Sequence, residues 1–225
     1  MAIPNTLVYC ISVPGSPRRE TFSANAAKTS VSFQFFDAIT INELRRGIAV
    51  EGCRVDLTNM SWIDHERRDP RRQRAPLLFT EIGCAYSHMK CWQRAKELNA
   101  DHLIVFEDDV VIVRQPQRSD VPADADIVYL SGRMPHNERG EAAGRGCGTD
   151  AYLLTRSGIF KCLEIFRILY MPIDLQLIAH QRSQYAFGHG LTKYRRQIDN
   201  DLYLQAYVAA NPVALYRKEI ESQVA

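Results

Sequence analysis

Three consecutive carboxylates, Glu107, Asp108 and Asp109, follow directly on the apolar run His102-Leu103-Ile104-Val105-Phe106 and directly precede Val110-Val111-Ile112-Val113. A short continuous apolar run without helical periodicity is the pattern of a strand buried on both faces, and such strands belong to mostly parallel sheets covered by helices. Charge at the end of such a strand is costly, because like charges repel at short range and each carboxylate loses water on burial. A divalent cation held by carboxylate oxygens offsets that cost, and hard oxygen ligands suit Mn²⁺ or Mg²⁺ better than zinc. Side chains alternate along a strand, so Glu107 and Asp109 share a face and form the metal-side pair, while Asp108 lies opposite unless the chain bends. The plainer reading has Glu107 or Asp108 pointing outward to cap the next turn.

The surrounding sequence repeats a strand and helix rhythm. Leu7 to Ile11 reads as a buried strand, Pro14-Gly15-Ser16-Pro17 as a turn, and a helix opens near Arg18 or Arg19 and runs to Lys28. Val31 to Phe36 alternates as a second strand ending at Asp37, which closes a βαβ unit. Ligands of parallel sheets bind at the carboxyl ends of strands, so the loop from Ser12 to Arg19 and Asp37 are placed to meet one. Residues 42–76 carry the weakest periodicity, with an arginine-rich stretch at Arg67, Arg68, Arg71, Arg72 and Arg74, and read as a lid or insertion. Thr80 caps an amphipathic helix to about Leu98, and the strand after it resumes beyond the carboxylates as Val110 to Val113. Further strands follow at Asp126 to Leu130 and Ala151 to Leu154, with a glycine-rich segment from Gly132 to Gly148 between them. A helix runs from about Ser157 to Leu169, and Asp199 to Ala209 is a short helix or strand. The expectation is one α/β domain over residues 1–225 with a mostly parallel central sheet.

Composition excludes some classes. With 28 Lys and Arg against 26 Asp and Glu, the net charge of +2 gives no field for nucleic acid. No stretch approaches the roughly 20 apolar residues of a membrane helix, and the N-terminus lacks a secretory layout. A cytoplasmic protein is expected, at most in peripheral contact with the inner face of the cytoplasmic membrane through basic clusters such as Lys193, Arg195 and Arg196. The six cysteines are then reduced thiols. Cys84, His88 and Cys91 share a helical face, a pattern that a buried small-residue face explains better than zinc.

Five landmarks occur in order: Phe33-Gln-Phe-Phe-Asp-Ala38, Glu81-Ile-Gly-Cys-Ala-Tyr-Ser-His88 with Trp92, Val105-Phe-Glu-Asp-Asp-Val110, Cys147-Gly-Thr149 with Tyr152, and Pro172-Ile-Asp174. In these the chain resembles glycosyltransferase family 25, which includes lipooligosaccharide galactosyltransferases. The resemblance implies a GT-A-type, Rossmann-like fold and an inverting transfer of a hexose, usually galactose from UDP-galactose, onto a saccharide or glycolipid acceptor such as lipopolysaccharide. It also implies Mn²⁺ or Mg²⁺ at Glu107 and Asp109, with Asp108 on the donor side and a late histidine, His189 or His180, as a further ligand. Ser12, Arg18, Arg19 and Asp37 match the nucleotide-facing edge, where Arg pairs with phosphate or stacks on a base; otherwise the arginines are an exposed helix start and Asp37 a strand-end cap. His88 is either a hydrogen-bonding support near the donor or a satisfied core histidine. Inversion needs a carboxylate to take the acceptor proton. Asp174 is the candidate, against an N-cap role, and Asp150 is its rival. Two other classes compete: a non-catalytic nucleotide-sugar or carbohydrate-binding protein retaining the fold, and a metal-dependent phosphohydrolase.

Overall fold

A computed structural model describes residues 3–56, 79–142, 148–181 and 202–216. The elements in chain order are β1 (Thr6–Ser12), α1 (Arg18–Lys28), β2 (Gln34–Asp37), α2 (Ile41–Arg45), β3 (Arg54–Val55) and α3 (Phe79–Glu97). After these come β4 (His102–Glu107), β5 (Val110–Ile112), a 3₁₀ turn (Arg118–Asp120), β6 (Ile127–Tyr129), β7 (Ala151–Thr155) and α4 (Arg156–Ile165). The chain continues through β8 (Ile168–Leu169), α5 (Ile173–Ala179), β9 (Ala206–Val208) and β10 (Ala214–Tyr216).

Six strands form the central sheet in the order β2-β1-β4-β7-β6-β9. The pairs β1·β2, β1·β4 and β6·β9 are parallel, while β7 runs antiparallel to both β4 and β6. The architecture is therefore α/β with a mostly parallel sheet. Alternation along the central strands divides the core into two layers. Leu103, Val105, Tyr152 and Leu154 pack with α3, α4 and α5, around the fully buried Trp92. Ile104, Phe106, Ala151 and Leu153 pack with Phe22 and Ala26 of α1 on the other face. Burial on both faces is why these strands read as unbroken apolar runs rather than as alternating ones.

Four boundaries differ from the sequence reading. Val110 to Ile112 does not continue β4 but turns into a separate two-stranded ribbon, pairing antiparallel with β10. Asp108 and Asp109 thus occupy a turn, not a strand. The helix expected from Ser157 to Leu169 ends at Ile165, because Ile168 and Leu169 pair with Arg54 and Val55. Thr80 lies inside the first turn of α3 rather than capping it. At the start of the region read as a lid, Thr40, just before it, and Glu43 form a capping box that starts α2, an acid three residues after a threonine that weak periodicity concealed. Residues 57–78 and 143–147, and with them the arginine-rich stretch and Cys147, lie outside the described residues, as do His189 and the basic cluster at Lys193, Arg195 and Arg196. No helix among the described residues is long and apolar enough to cross a membrane.

Candidate functional site

Sheet register brings the site together. Ser12 pairs with Asp37 across β1 and β2, and Ile11 pairs with Glu107 across β1 and β4, so three carboxyl-terminal strand ends open on one edge. A cleft of about 390 Å³ lies there, lined by residues that include Ser12, Ser16, Arg18, Cys84, His88, Glu107, Asp108 and Asp109. Size alone does not select it. A hollow of about 450 Å³ flanks the C-terminal half of α3 at Gln93, Lys96 and Arg167, but it lies away from the strand ends and the carboxylates.

The turn after β4 sends the three carboxylates to different partners. Asp108 faces the loop after β1: Ser12 Oγ donates to its Oδ2 at 2.7 Å, Ser16 Oγ to the same oxygen at 3.4 Å, and Arg18 Nη1 to Oδ1 at 3.2 Å. Glu107 faces α3 and β7, accepting from Thr149 Oγ1 at 3.2 Å with His88 Nε2 also 3.3 Å from Oε1. Asp109 Oδ1 is buried with no hydrogen-bond partner. Strand geometry alone set Asp108 apart, yet the bend brings it into the same cleft as Glu107 and Asp109.

Their acidities diverge for physical reasons. Burial raises the Glu107 carboxyl, but the adjacent His88 imidazole, then Thr149 and Arg133, outweigh it and hold the group below its ordinary range. Burial and the neighbouring charge of Glu107 push Asp109 up, only partly countered by Arg18. One site thus keeps one carboxylate charged and leaves its neighbour under-compensated.

His88 is fully buried, and its Nδ1 lies 2.8 Å from Tyr152 Oη, which also accepts from Trp92 Nε1 at 2.8 Å. It is at once a core residue and a wall of the cleft. Ser87 beside it ties α3 to the loop after β2, accepting from the Ile39 amide at 2.8 Å and donating to the Gly83 carbonyl at 2.7 Å.

Arg19 and Asp37 form an ion pair one step to the side. Arg19 also donates to the Ser12 carbonyl at 2.9 Å and lies over the Phe35 ring, so its guanidinium is a clamp between β1 and β2. The Asp37 side chain stays 69% exposed. Neither candidate base is among the cleft-lining residues. Asp150 is 4% exposed, accepts from Ser131 Oγ at 3.2 Å and faces Arg133 at 3.7 Å, and its Oδ2 makes no hydrogen bond. Burial pushes it up to about 6 despite Arg133, with Glu107 adding to the rise. Asp174 stands in the first turn of α5, whose N-cap is Pro172, and accepts from its neighbour Leu175. Burial raises it, with Glu107 contributing. His180, the alternative late histidine, is buried between Tyr170 and the Leu202 carbonyl.

The sequence places Ser16 only as part of the Ser12 to Arg19 loop, and Cys84 on one buried helix face with His88 and Cys91. Cys91 is buried in the core as that face requires, whereas Cys84 reaches the cleft beside His88 and Glu107. The signal available was the four-residue spacing of Cys84 and His88, without the strand end that completes the group.

Residues 5–125, over half of the 225-residue chain, match the family model "Glycosyltransferase family 25 (LPS biosynthesis protein)". The chain belongs to glycosyltransferase family 25. This family 25 chain is also 31% identical over 93 residues to a Haemophilus influenzae protein named "Putative glycosyltransferase". That match covers 41% of the chain but only 28% of the relative, so the chain spans less than a third of that protein's length. Among solved structures it is similar to a glycosyltransferase involved in the glycosylation of the major capsid of PBCV-1, at 9% identity and a TM-score of 0.45, with 98% of each chain covered. The family 25 segment contains Ser12, Arg18, Arg19, Asp37, His88 and the three carboxylates, whereas Asp150 and Asp174 lie beyond it.

Proposed function

We propose that this chain is a metal-dependent, inverting glycosyltransferase that moves a hexose, galactose by family resemblance, from a UDP-sugar onto a saccharide acceptor of the lipopolysaccharide class. The observation that carries the reading is the placement of Glu107, Asp108 and Asp109 around one cleft at the carboxyl ends of β1, β2 and β4. Family membership supports the reaction class, and the family's description as an LPS biosynthesis protein supports the acceptor class.

The residues fit a hard divalent cation. Asp109 Oδ1 is a buried oxygen without a hydrogen-bond partner, and its upward-shifted pKa marks negative charge that Arg18 only partly offsets. Asp109 and Glu107 would hold Mn²⁺ or Mg²⁺, which when bound supplies charge neutralisation to a departing diphosphate. The protein's own contributions are positional and electrostatic. Asp108 is spent on Ser12, Ser16 and Arg18, which fixes the loop after β1 against β4 and holds the Arg18 guanidinium at the mouth, 55% exposed, where it can meet phosphate. Asp37 offers an exposed carboxylate to nucleoside hydroxyls. Of the two candidate bases, burial brings Asp150 up to about 6, and its Oδ2 faces Arg133 at 3.7 Å without making a hydrogen bond.

The test is a panel of nucleotide sugars with purified protein and Mn²⁺, following nucleotide release with and without chelator. Release from one donor, lost on chelation, supports the reading and names the sugar. Silence across the panel with no thermal shift by any nucleotide overturns it in favour of a carbohydrate-binding role.

A further inference from the structure

The cleft also holds a donor set of a different chemical character. Cys84 and His88 are four residues apart on α3, hence on one face of the helix. Glu107, at the end of β4, meets them. Cys84 Sγ, a His88 ring nitrogen and a Glu107 oxygen all lie within 4.8 Å of one another, and His88 Nε2 is 3.3 Å from Glu107 Oε1. Tetrahedral zinc with bonds of about 2.0–2.3 Å requires ligand atoms roughly 3.3–3.6 Å apart. The His88 and Glu107 pair already meets that requirement, and the thiol needs only a small closing movement.

A second observation points to a ligand. His88 is wholly buried, and its Nε2 approaches Glu107 Oε1 at 3.3 Å without completing a hydrogen bond. Its ring is held from the other side by Tyr152 Oη at Nδ1, itself fixed by Trp92 Nε1. A histidine held through one ring nitrogen, with the other turned to a carboxylate at the cleft, is the arrangement in which an outer-shell partner orients a metal ligand.

We propose that Cys84, His88 and Glu107 form a zinc site with three protein ligands and a fourth position open to the cleft. Sulfur, imidazole and a single carboxylate make a borderline-soft set that favours Zn²⁺ over Mg²⁺ or Mn²⁺. Binding releases the thiol proton to solvent as the zinc–sulfur bond forms. The site shares Glu107 with the hard-cation pair, so zinc occupancy removes a ligand from Asp109's partner ion. On the transferase reading, zinc then inhibits rather than activates turnover.

The experiment uses the full, metal-stripped chain titrated with Co²⁺ and back-titrated with Zn²⁺. One equivalent of Co²⁺ should give tetrahedral visible bands and a thiolate-to-metal charge-transfer band that Zn²⁺ removes. Cys84→Ser should abolish the charge-transfer band and weaken Zn²⁺ binding by more than the roughly 10–100-fold that loss of an outer-shell partner costs. Asp109→Asn should leave both unchanged, which separates this site from the transferase reading. Should Cys84→Ser not fold, protection of Cys84 against alkylation by Zn²⁺ in the wild-type chain, read by peptide mass spectrometry, takes its place. A charge-transfer band that survives Cys84→Ser, or its absence from the wild type, or alkylation of Cys84 undiminished by Zn²⁺, would overturn the proposal.

Discussion

At the scale of single residues, the site is a set of carboxylates whose surroundings assign them different work. Asp109 has the unmet electrostatic demand, and Asp109→Asn removes that charge without removing volume. Metal-dependent nucleotide release should fall by roughly 10²–10³-fold, the cost of losing one preorganised electrostatic contact, while the denaturation midpoint holds or rises; unchanged turnover would move the cation elsewhere. The candidate bases separate by pH. A carboxylate must be ionised to accept a proton, so kcat should be present above and lost below the folded acidity of the base, at about 6 if Asp150 serves. Asp150→Asn should then abolish turnover while Asp174→Asn retains the acid limb, and the reverse pattern would hand the role to Asp174. The three carboxylates were legible in the sequence because charge after an apolar strand is anomalous. Asp108's partners were not, because alternation presumes a strand and the chain turns there. Cys84's place beside Glu107 was equally hidden, since it joins a helix to a strand end from which 22 residues separate it in sequence.

Elements hold the site through a few close approaches. Helix α4 starts where Thr155 caps the Gly158 amide and the Thr155 amide donates to the Asp126 carbonyl at 3.0 Å. A Cβ on Gly158 would stand 1.9 Å from that carbonyl oxygen, which belongs to backbone and cannot step aside. Helix propensity argues for Gly158→Ala by about 1 kcal/mol, but overpacking costs about 1–3 kcal/mol or more. The clash wins, and Gly158→Ala should lower the chemical denaturation midpoint, whereas Gly132→Ala, whose nearest neighbour would be 3.4 Å away, should barely shift it. A stabilised Gly158→Ala protein would show that the helix start can slide. Strands buried on both faces and the long α3 were readable because their patterns extend over many residues. The ribbon of β5 with β10 was not, since three apolar residues look alike whether they prolong one strand or begin another, and only a partner about a hundred residues away decides.

Across the whole molecule, folding gathers Glu107, Asp109, Asp150 and Asp174 into one acidic region, and the fold bears the electrostatic cost. Asp150 is the clearest case, its carboxyl raised from 3.8 to about 6 by burial first and Glu107 among the other causes. A carboxyl whose folded acidity lies above its unfolded one binds more protons in the native state, so stability falls as pH rises from about 4 to 6 and stays reduced above. At 1.36 kcal/mol per pH unit the full offset is about 3 kcal/mol. The Arg133 attraction is already contained in that offset. Asp150→Asn, which keeps an acceptor for Ser131, should therefore be up to about 3 kcal/mol more stable than the wild type above pH 6, with the gain shrinking steadily towards pH 4. Urea denaturation at pH 7.5, 5 and 4 measures it. A cation at Glu107 and Asp109 relieves part of the same repulsion, so Mn²⁺ should stabilise the wild type more at pH 7.5 than at pH 5, and less in Asp109→Asn than in either. A gain from Asp150→Asn that did not depend on pH would mean that packing, not charge, sets the cost of building this site.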